Sequence, residues 1–304
     1  MPTSLFITGA SGYVGRRLVS LIDPAGHRTI YCLARRGTPF RGPEPEAKAH
    51  WVTGDLLDSA AYSKPLACCD TVVHLAALTG KHQAAAYFRV NTEGTRVLVD
   101  ASRRAGVQNF LHVSTIAVKY RDQSRYYYAQ SKKLAEEIVA QSGLRYTILR
   151  PTIVVGNRAP VLEGLCRLAR APWIPLFGGG QVGVQPIYVD DLIHSILSIL
   201  DEEMFENQTL DLGGPEVLSM EDMLIRLRRS LGGKEARLVR IPVGLISPFL
   251  AFFERFFLPV MPFTAGQLAS FSNDGTIESS PFFERLRPRM KSFDEALRLA
   301  TAHE

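Results

Sequence analysis

The sequence predicts an α/β protein with a doubly wound parallel sheet and a smaller C-terminal lobe. The 304 residues are 46% hydrophobic and 21% charged, which is typical of a folded chain with a sizeable core. Short apolar runs alternate with helical patterns through the first half. A glycine-rich turn follows the first run and opens the first helix, as in sheets that bind ligands at their carboxyl edge.

The apolar runs of the first half predict strands buried on both faces, because they are continuous rather than alternating. Strands are predicted at residues 4–8, 29–33, 50–52, 71–75, 109–113 and 146–149, and helices at 15–22, 84–105 and 129–141. Right-handed crossovers between such strands produce a doubly wound open sheet.

The alternation weakens after Pro151. Residues 187–189 lead into a helix predicted over 191–200, which Asp190 or Asp191 can cap. We therefore predict a core over 1–155, to which 182–213 return, and a substrate lobe over 156–181 and 214–304. The lobe contains a Phe-rich stretch, 249–263, that predicts core packing, with a substrate wall or a membrane-surface contact as the alternatives.

Composition limits the kinds of ligand, metal and membrane contact that the sequence predicts. The net charge is +5, and many of the arginines occur in scattered pairs instead of one basic stripe, which predicts an anionic small ligand and no nucleic acid. Four cysteines without C-x-x-C spacing predict no metal site and a reducing compartment. The apolar segment 241–263 is broken by prolines and charges, so no transmembrane segment is expected. The start of the sequence lacks a secretory pattern, and we expect a cytoplasmic protein.

The turn after the first strand predicts a dinucleotide-phosphate site. Its glycines allow a tight turn, a close approach to pyrophosphate and close packing of helix on strand, and the helix N-terminus offers free N–H groups. The residues of this predicted site are Gly9, Ala10, Ser11, Gly12, Tyr13, Val14 and Gly15.

The end of the second strand predicts the choice of cofactor. It carries Arg35 and Arg36 where an acidic residue would bind the 2′-hydroxyl of NAD, so we expect NADP(H), with NAD as the alternative. Arg35 is the main expected contact with the 2′-phosphate. Further cofactor contacts are expected where the third and fourth strands end, at Asp55, Leu56, Ala76 and Ala77.

A catalytic group is predicted at the start of the helix over 129–141. Tyr128 and Lys132 are four residues apart, which puts them on one helical face. A nearby ammonium favours the phenolate of a tyrosine, and Lys132 is also a candidate ligand of the nicotinamide ribose. Just upstream, Ser114 and Thr115 end the fifth strand and offer hydroxyls for a substrate oxygen.

Together these motifs resemble the extended or atypical short-chain dehydrogenase/reductases, within the NAD-dependent epimerase/dehydratase superfamily. The resemblance implies a Rossmann-type fold, a hydroxyl–Tyr–Lys triad at Thr115, Tyr128 and Lys132, and further cofactor-site positions at Asn91 and Pro151. In the tail, the sequence is similar to the group related to the NAD(P)H-binding accessory subunit of respiratory complex I.

Three functions follow as hypotheses. The first is an NADP(H)-dependent oxidoreductase acting on a carbonyl or a secondary alcohol. The second is a nucleotide-sugar epimerase or dehydratase, although residues 184–191 lack the arginine that grips a sugar diphosphate in that branch. The third is a non-catalytic NADPH-binding assembly protein. The two long helices, 84–105 and 129–141, are also consistent with a homodimer.

Overall fold

The computed structural model describes residues 4–22, 29–35, 37, 49–233, 237–242, 268 and 271–301. Arg36 and the Phe-rich stretch 249–263 lie outside these residues. The chain divides into two compact units. The first holds residues 1–114, 130–150 and 193–210, and the second holds 115–129, 151–192 and 211–304.

The bounds of the elements are as follows. The strands are β1 (Ser4–Thr8), β2 (Thr29–Ala34), β3 (His50–Thr53), β4 (Thr71–His74), β5 (Asn109–Val113), β6 (Arg145–Pro151), β7 (Val154–Val155), β8 (Trp173–Phe177), β9 (Gly183–Val184), β10 (Ile187–Tyr188), β11 (Gln208–Leu212), β12 (Leu218–Ser219) and β13 (Arg237–Ile241). The helices are α1 (Tyr13–Leu21), α2 (Ser63–Leu66), α3 (Ala84–Tyr87), α4 (Gly94–Ala105), α5 (Tyr127–Ala140), α6 (Pro160–Arg170), α7 (Val189–Asp201), α8 (Met220–Ser230), α9 (Pro281–Leu286) and α10 (Phe293–Thr301).

The first unit is built on a seven-stranded sheet with the order β11-β6-β5-β4-β1-β2-β3. The register pairs from β3 to β6 are all parallel, and β1 lies between β2 and β4. The strand order therefore reverses beside β1, the point at which such sheets bind ligands. Leu5, Phe6 and Ile7 are fully buried, as the continuous apolar pattern of this strand requires. The predicted fold class and all six predicted strands of the first half are confirmed.

The long helix predicted over 84–105 is interrupted. An α-helical turn, α3, is followed by a π-helical turn at Phe88–Glu93 and then by α4. A π turn accommodates one extra residue and is frequent at functional sites. Asn91 lies in this turn and is 1% exposed.

The second unit contains three short two-stranded sheets. They pair β10 with β7 and β13 with β8 in parallel, and β12 with β9 in antiparallel orientation. Helix α8 is capped by Ser219, whose hydroxyl accepts a hydrogen bond from Asp222 N, and it buries Met223, Leu224 and Leu227. Among the residues that the structure describes, no helix combines the length and the apolar character needed to cross a bilayer.

Candidate active site

The glycine loop between β1 and α1 depends on two close backbone approaches. Gly9 has a φ of +72°, and a Cβ there would lie 2.6 Å from Ala76 N, just beyond β4. A Cβ on Gly15 would lie 2.2 Å from Gly9 O. Side chains at these positions would push the loop off the sheet edge, so both glycines are required by packing.

The N-terminus of α1 is suited to an anion. Its N-cap, Gly12, provides no side-chain hydrogen bond, and the first turn carries no acidic residue. Gly12 is exposed, Ser11, Tyr13 and Val14 are half-buried, and Ala10 is buried beneath them. The first N–H groups of a helix without a side-chain cap, together with the positive end of its dipole, favour a phosphate. The loop therefore fits the pyrophosphate of a dinucleotide.

Two charged positions flank this edge of the sheet. Arg35 directly follows β2 and is exposed. Asp55 is also exposed, and its Oδ1 accepts a hydrogen bond from Leu57 N at 2.9 Å. Leu56 points into the core and is 8% exposed. The backbone of this turn is therefore held by the carboxylate of Asp55 and the buried side chain of Leu56.

The segment after β4 is held by two side chains. Ala76 N donates to Thr8 Oγ1 at 3.3 Å. The Asn91 amide accepts from Leu78 N at 2.7 Å and donates to Leu78 O at 3.2 Å and to Ser131 Oγ at 2.9 Å. Asn91 thereby ties the segment after β4, including the half-buried Ala76 and Ala77, to helix α5.

Lys132 is buried within the first unit and is 1% exposed. Its Nζ donates to Val113 O at 2.9 Å and is 3.1 Å from His112 Nε2. Both partners belong to the last two residues of β5, immediately before Ser114. One helical turn after Lys132, Glu136 forms a two-pronged ion pair with Arg150 of β6, at 2.6 and 2.9 Å.

A second imidazole lies beside the first. His74 and His112 are register partners on β4 and β5, and their ring centroids are 5.1 Å apart. His74 Nδ1 is 2.7 Å from Thr8 Oγ1, and its Nε2 is 2.9 Å from Thr95 Oγ1. The cluster thus consists of two threonine hydroxyls and two imidazoles, and the Lys132 amine contacts the second imidazole.

Burial sets the protonation of this cluster. It lowers the pKa of Lys132 to about 7, against a smaller opposite effect of Glu136. It also holds the pKa of His74 and of His112 well below 6.5, and the nearby Lys132 ammonium acts in the same direction. Both imidazoles are therefore neutral at physiological pH.

The two hydroxyls after β5 differ in their surroundings. Ser114 is 5% exposed, and its Oγ has no hydrogen-bond partner among the described residues. Thr115 is half-buried and begins the 3₁₀ turn Ile116–Lys119, where its Oγ1 accepts from Ala117 N at 3.3 Å. A hydroxyl that accepts from the backbone keeps its own proton for donation, so Thr115 retains a donor for an incoming oxygen.

Tyr128 is half-buried in the first turn of α5, four residues before Lys132 along the same helix. Its ring contacts Tyr126 at a centroid distance of 5.8 Å, and Tyr126 stacks on Tyr120 at 6.2 Å. Tyr120 belongs to a buried cluster with Ile116, Ala117 and Ala129. The phenol that was predicted as the acid/base group therefore borders an aromatic stack within the second unit.

Gln185 and Val184 occupy the stretch in which nucleotide-sugar relatives were expected to carry an arginine. Val184 is 1% exposed and pairs with Leu218 in the sheet of β9 and β12. The Gln185 amide donates to Gly214 O at 2.7 Å and accepts from Ile277 N at 3.1 Å. Pro151 is buried at the end of β6.

His112 was missed by the sequence analysis. Its position beside His74 was readable from the predicted parallel strands, because His74 is the last residue of β4 and its register partner His112 is the penultimate residue of β5. The contact with Lys132 was not readable, since it depends on how α5 packs on the sheet. Arg16, whose Nε donates to Ser11 O at 2.7 Å beside the glycine loop, was missed for the same reason.

The fold and the glycine loop together define the class of dinucleotide-binding α/β proteins with a Rossmann-like sheet. Residues 5–213 match the NAD dependent epimerase/dehydratase family, and since this match covers more than half of the chain, the protein belongs to that family. The resemblance inferred from the sequence motifs is confirmed.

Individual relatives differ in what their names describe. The chain is 32% identical over 186 residues to a ceramide reductase of Caulobacter vibrioides, covering 61% of this chain and 57% of the relative. It is 25% identical over 230 residues to the mitochondrial NADH dehydrogenase [ubiquinone] 1 alpha subcomplex subunit 9 of Arabidopsis thaliana, covering 71% and 55%. The chain therefore spans little more than half the length of these curated relatives.

The solved structures support the fold. A nucleoside-diphosphate-sugar epimerase from Staphylococcus aureus matches with a TM-score of 0.76 at 16% identity, covering 97% of this chain and 99% of the other. At this identity the likeness establishes the architecture and leaves the substrate open.

Proposed function

We propose that the protein is an NADP(H)-dependent oxidoreductase that interconverts a carbonyl compound and a secondary alcohol, with Tyr128 as the general acid/base. The observation that carries this proposal is Lys132. A lysine that is 1% exposed, with a pKa lowered to about 7, is costly to bury, and it follows a tyrosine by one helical turn. Strongly perturbed titratable groups of this kind concentrate at functional sites.

The residues of the glycine loop would hold the cofactor. The close packing of Gly9 and Gly15 and the N-terminus of α1, which has no side-chain cap, suit its pyrophosphate, and Arg35 suits a 2′-phosphate. Asp55 would contact the adenine, while Asn91 and Pro151 would support the segments around the nicotinamide. When bound, NADP(H) supplies or accepts the hydride.

Tyr128 and Lys132 would divide the proton chemistry between them. In the direction of reduction, the Tyr128 phenol donates a proton to the oxygen that becomes the alcohol, and in oxidation the phenolate accepts it. A free tyrosine has a pKa near 10, and the ammonium of Lys132 favours the phenolate. Lys132 would also bind the nicotinamide ribose.

The substrate oxygen would be held by hydroxyls. Thr115 keeps its proton for donation because its Oγ1 accepts from Ala117 N, and the buried Ser114 Oγ supplies a second donor. Donors fixed before the reaction stabilise the negative charge that develops on a carbonyl oxygen.

The surroundings of residues 184 and 185 support this reading over a nucleotide-sugar epimerase or dehydratase. Val184 is buried and apolar, and both ends of the Gln185 amide are bonded to backbone groups. Neither side chain offers a cation for a sugar diphosphate. The ceramide reductase among the relatives supports a carbonyl reductase as well.

Cofactor binding is the first test. The affinities for NADPH and NADH would be measured by fluorescence titration for the wild type, Arg35→Asp and Arg104→Asp. Arg104 is an exposed control at the end of α4, at the edge of the sheet where β5 begins. We expect Arg35→Asp to weaken NADPH binding by about 10- to 100-fold, as for loss of a charged hydrogen bond, and Arg104→Asp to leave it unchanged. Equal affinities of the wild type for the two nucleotides would exclude the NADP preference.

Turnover is the second test. NADPH oxidation would be followed with a panel of ketones and aldehydes that includes long-chain apolar members. We expect Tyr128→Phe to lower kcat by roughly 10²- to 10⁴-fold while NADPH binding is retained. Tight NADPH retention without turnover on any substrate, together with co-purifying partner proteins, would instead support a non-catalytic NADPH-binding assembly protein.

A homodimer and a cytoplasmic location are part of the proposal. A groove between α4 and α5 is lined by Arg96, Val99, Leu134 and Ile138, and Leu134 is 40% exposed. A second copy of the same groove would cover this apolar side chain. We expect Leu134→Glu to convert a dimer to a monomer in sedimentation experiments, whereas Leu299→Glu, at an equally exposed leucine of α10, has no effect. Cell fractionation tests the location.

A further inference from the structure

We infer that His112 is a positioning residue that fixes the amine of Lys132 at the carboxyl end of β5 and favours its ammonium form. The importance of this for catalysis rests on the proposed function. The inference itself concerns two buried side chains and is testable without any substrate.

Among the described residues, the hydrogen-bonding contact of the His112 ring is the one with the Lys132 amine. Its Nε2 is 3.1 Å from Lys132 Nζ, and its Nδ1 is buried without a hydrogen-bond partner there. The ammonium form of a lysine is a donor only, so with that form Nε2 accepts and the ring proton lies on Nδ1. Burying the Nδ1–H donor without an acceptor destabilises the folded chain. The contact of Nε2 with the amine is the hydrogen bond that offsets part of this cost.

Together with Val113 O, the imidazole defines the position of the amine. Val113 O accepts from Nζ at 2.9 Å, and His112 Nε2 provides the second acceptor. Two fixed acceptors select one rotamer of a four-carbon side chain that otherwise has many. The third N–H of the ammonium remains for the ribose or the phenol.

Three charged or titratable side chains lie near this contact in the described part of the chain: His74, Glu136 and Tyr128. His74 on β4 contacts the His112 ring but bonds to Thr8 and Thr95 instead of the amine. Glu136, one turn later on α5, raises the pKa of Lys132, while its own carboxylate is shared with Arg150 of β6. Tyr128 lies one turn earlier on α5. Of these three and His112, only His112 accepts directly from the amine in the described structure.

The test is a titration of Lys132 by NMR. Protein labelled with ¹³C-lysine would be titrated from pH 5 to 10.5, and the Cε resonance of Lys132 would be assigned by its loss in Lys132→Met. His112→Leu removes the acceptor, whereas His112→Gln places an amide oxygen near the position of Nε2. His74→Leu is the matched control, because it removes an equally buried imidazole that does not contact the amine.

We expect His112→Leu to lower the midpoint of the Lys132 titration by about one pH unit, the loss of one hydrogen bond to a charged group. His112→Gln and His74→Leu should keep the wild-type midpoint within a few tenths of a unit. If His112→Leu does not fold, His112→Asn replaces it, since its amide is too short to reach Nζ.

An unchanged midpoint in the leucine or asparagine variant would overturn the inference. An equal fall in His74→Leu would do the same, because it would assign the effect to general loosening of the core. If the midpoint responds as expected but the enzyme shows no turnover, the positioning role stands and the proposed oxidoreductase activity fails.

Discussion

The burial of Lys132 makes the stability of the protein depend on pH at the scale of one residue. Its folded pKa is lowered to about 7 from a value of 10.5. Between these values the unfolded chain binds a proton that the native chain does not, so the free energy of unfolding contributed by this residue rises with pH. Below about pH 7 the cost of burying the ammonium is fully present.

Comparison of the wild type with Lys132→Met isolates this contribution. We expect the unfolding free energy of the wild type, relative to the variant, to rise by up to about 1.4 kcal/mol per pH unit between pH 7 and 10. Urea denaturation at several pH values measures it. Parallel curves for the two proteins would contradict the lowered pKa. Lys133→Met, at the exposed neighbouring lysine, serves as the control.

The buried histidines His74 and His112 affect the free energy of unfolding at acidic pH. Their folded pKa values lie well below 6.5, so on acidification the unfolded chain gains protons that the native chain cannot accept. Stability is therefore fully present above about pH 6.5 and is lost as the pH falls. Two such groups give a slope of up to about 2.7 kcal/mol per pH unit.

We expect His112→Gln to reduce this acid slope by about half. The measurement is the unfolding free energy between pH 4.5 and 7, with His82→Gln, at an exposed histidine, as the control. If the slope is the same in wild type and His112→Gln, then His112 is not buried in its neutral form.

At the scale of the element, the glycine loop shows which structural features a local sequence pattern can predict and which it cannot. The order strand, glycine turn, helix was readable along the chain because each part follows from neighbouring residues. The contact of Gly9 with Ala76 was not, since it joins residues from β1 and the end of β4. The sequence predicted that these glycines matter, and the packing specifies which atoms they would displace.

Gly15→Ala tests this element. Its Cβ would lie 2.2 Å from Gly9 O, a backbone atom that cannot swing aside, so the loop must shift. We expect at least a tenfold loss of NADPH affinity and a lower unfolding temperature. Gly164→Ala in α6 is the matched control, because its nearest neighbour is a side-chain nitrogen at 4.0 Å; it should stabilise by about 0.5–1 kcal/mol. Equal behaviour of the two variants in the binding titration would rule out the packing argument.

The π turn at Phe88–Glu93 shows where periodicity misleads. The apolar pattern predicted one helix over 84–105, and it contains no glycine or proline before Gly94 that signals a break. The extra residue in the turn accompanies three hydrogen bonds of Asn91 to Leu78 and Ser131. These partners are distant in sequence, so the interruption is a tertiary effect.

At the scale of the whole molecule, cofactor binding should stabilise the native chain. A ligand that binds only the native state adds about 2.7 kcal/mol at 100 times its dissociation constant. We expect NADPH to raise the unfolding temperature by several degrees, and NADH to raise it less at the same concentration. The difference should disappear in Arg35→Asp, as differential scanning fluorimetry would reveal.

The sequence by itself determined the class of fold, the six strands of the first half and the positions of the glycine loop, Tyr128 and Lys132. These features depend on apolar runs, turn residues and helical spacing. Such patterns are local, so they can be recognised without knowing how distant segments pack. Only the tertiary structure decided that Lys132 is buried against His112, that Ser114 and Thr115 have different partners, and that the Gln185 amide is bonded to the backbone. Burial and hydrogen-bond partnership depend on segments far apart in sequence, and the lowered pKa of Lys132 arises only when those segments pack together.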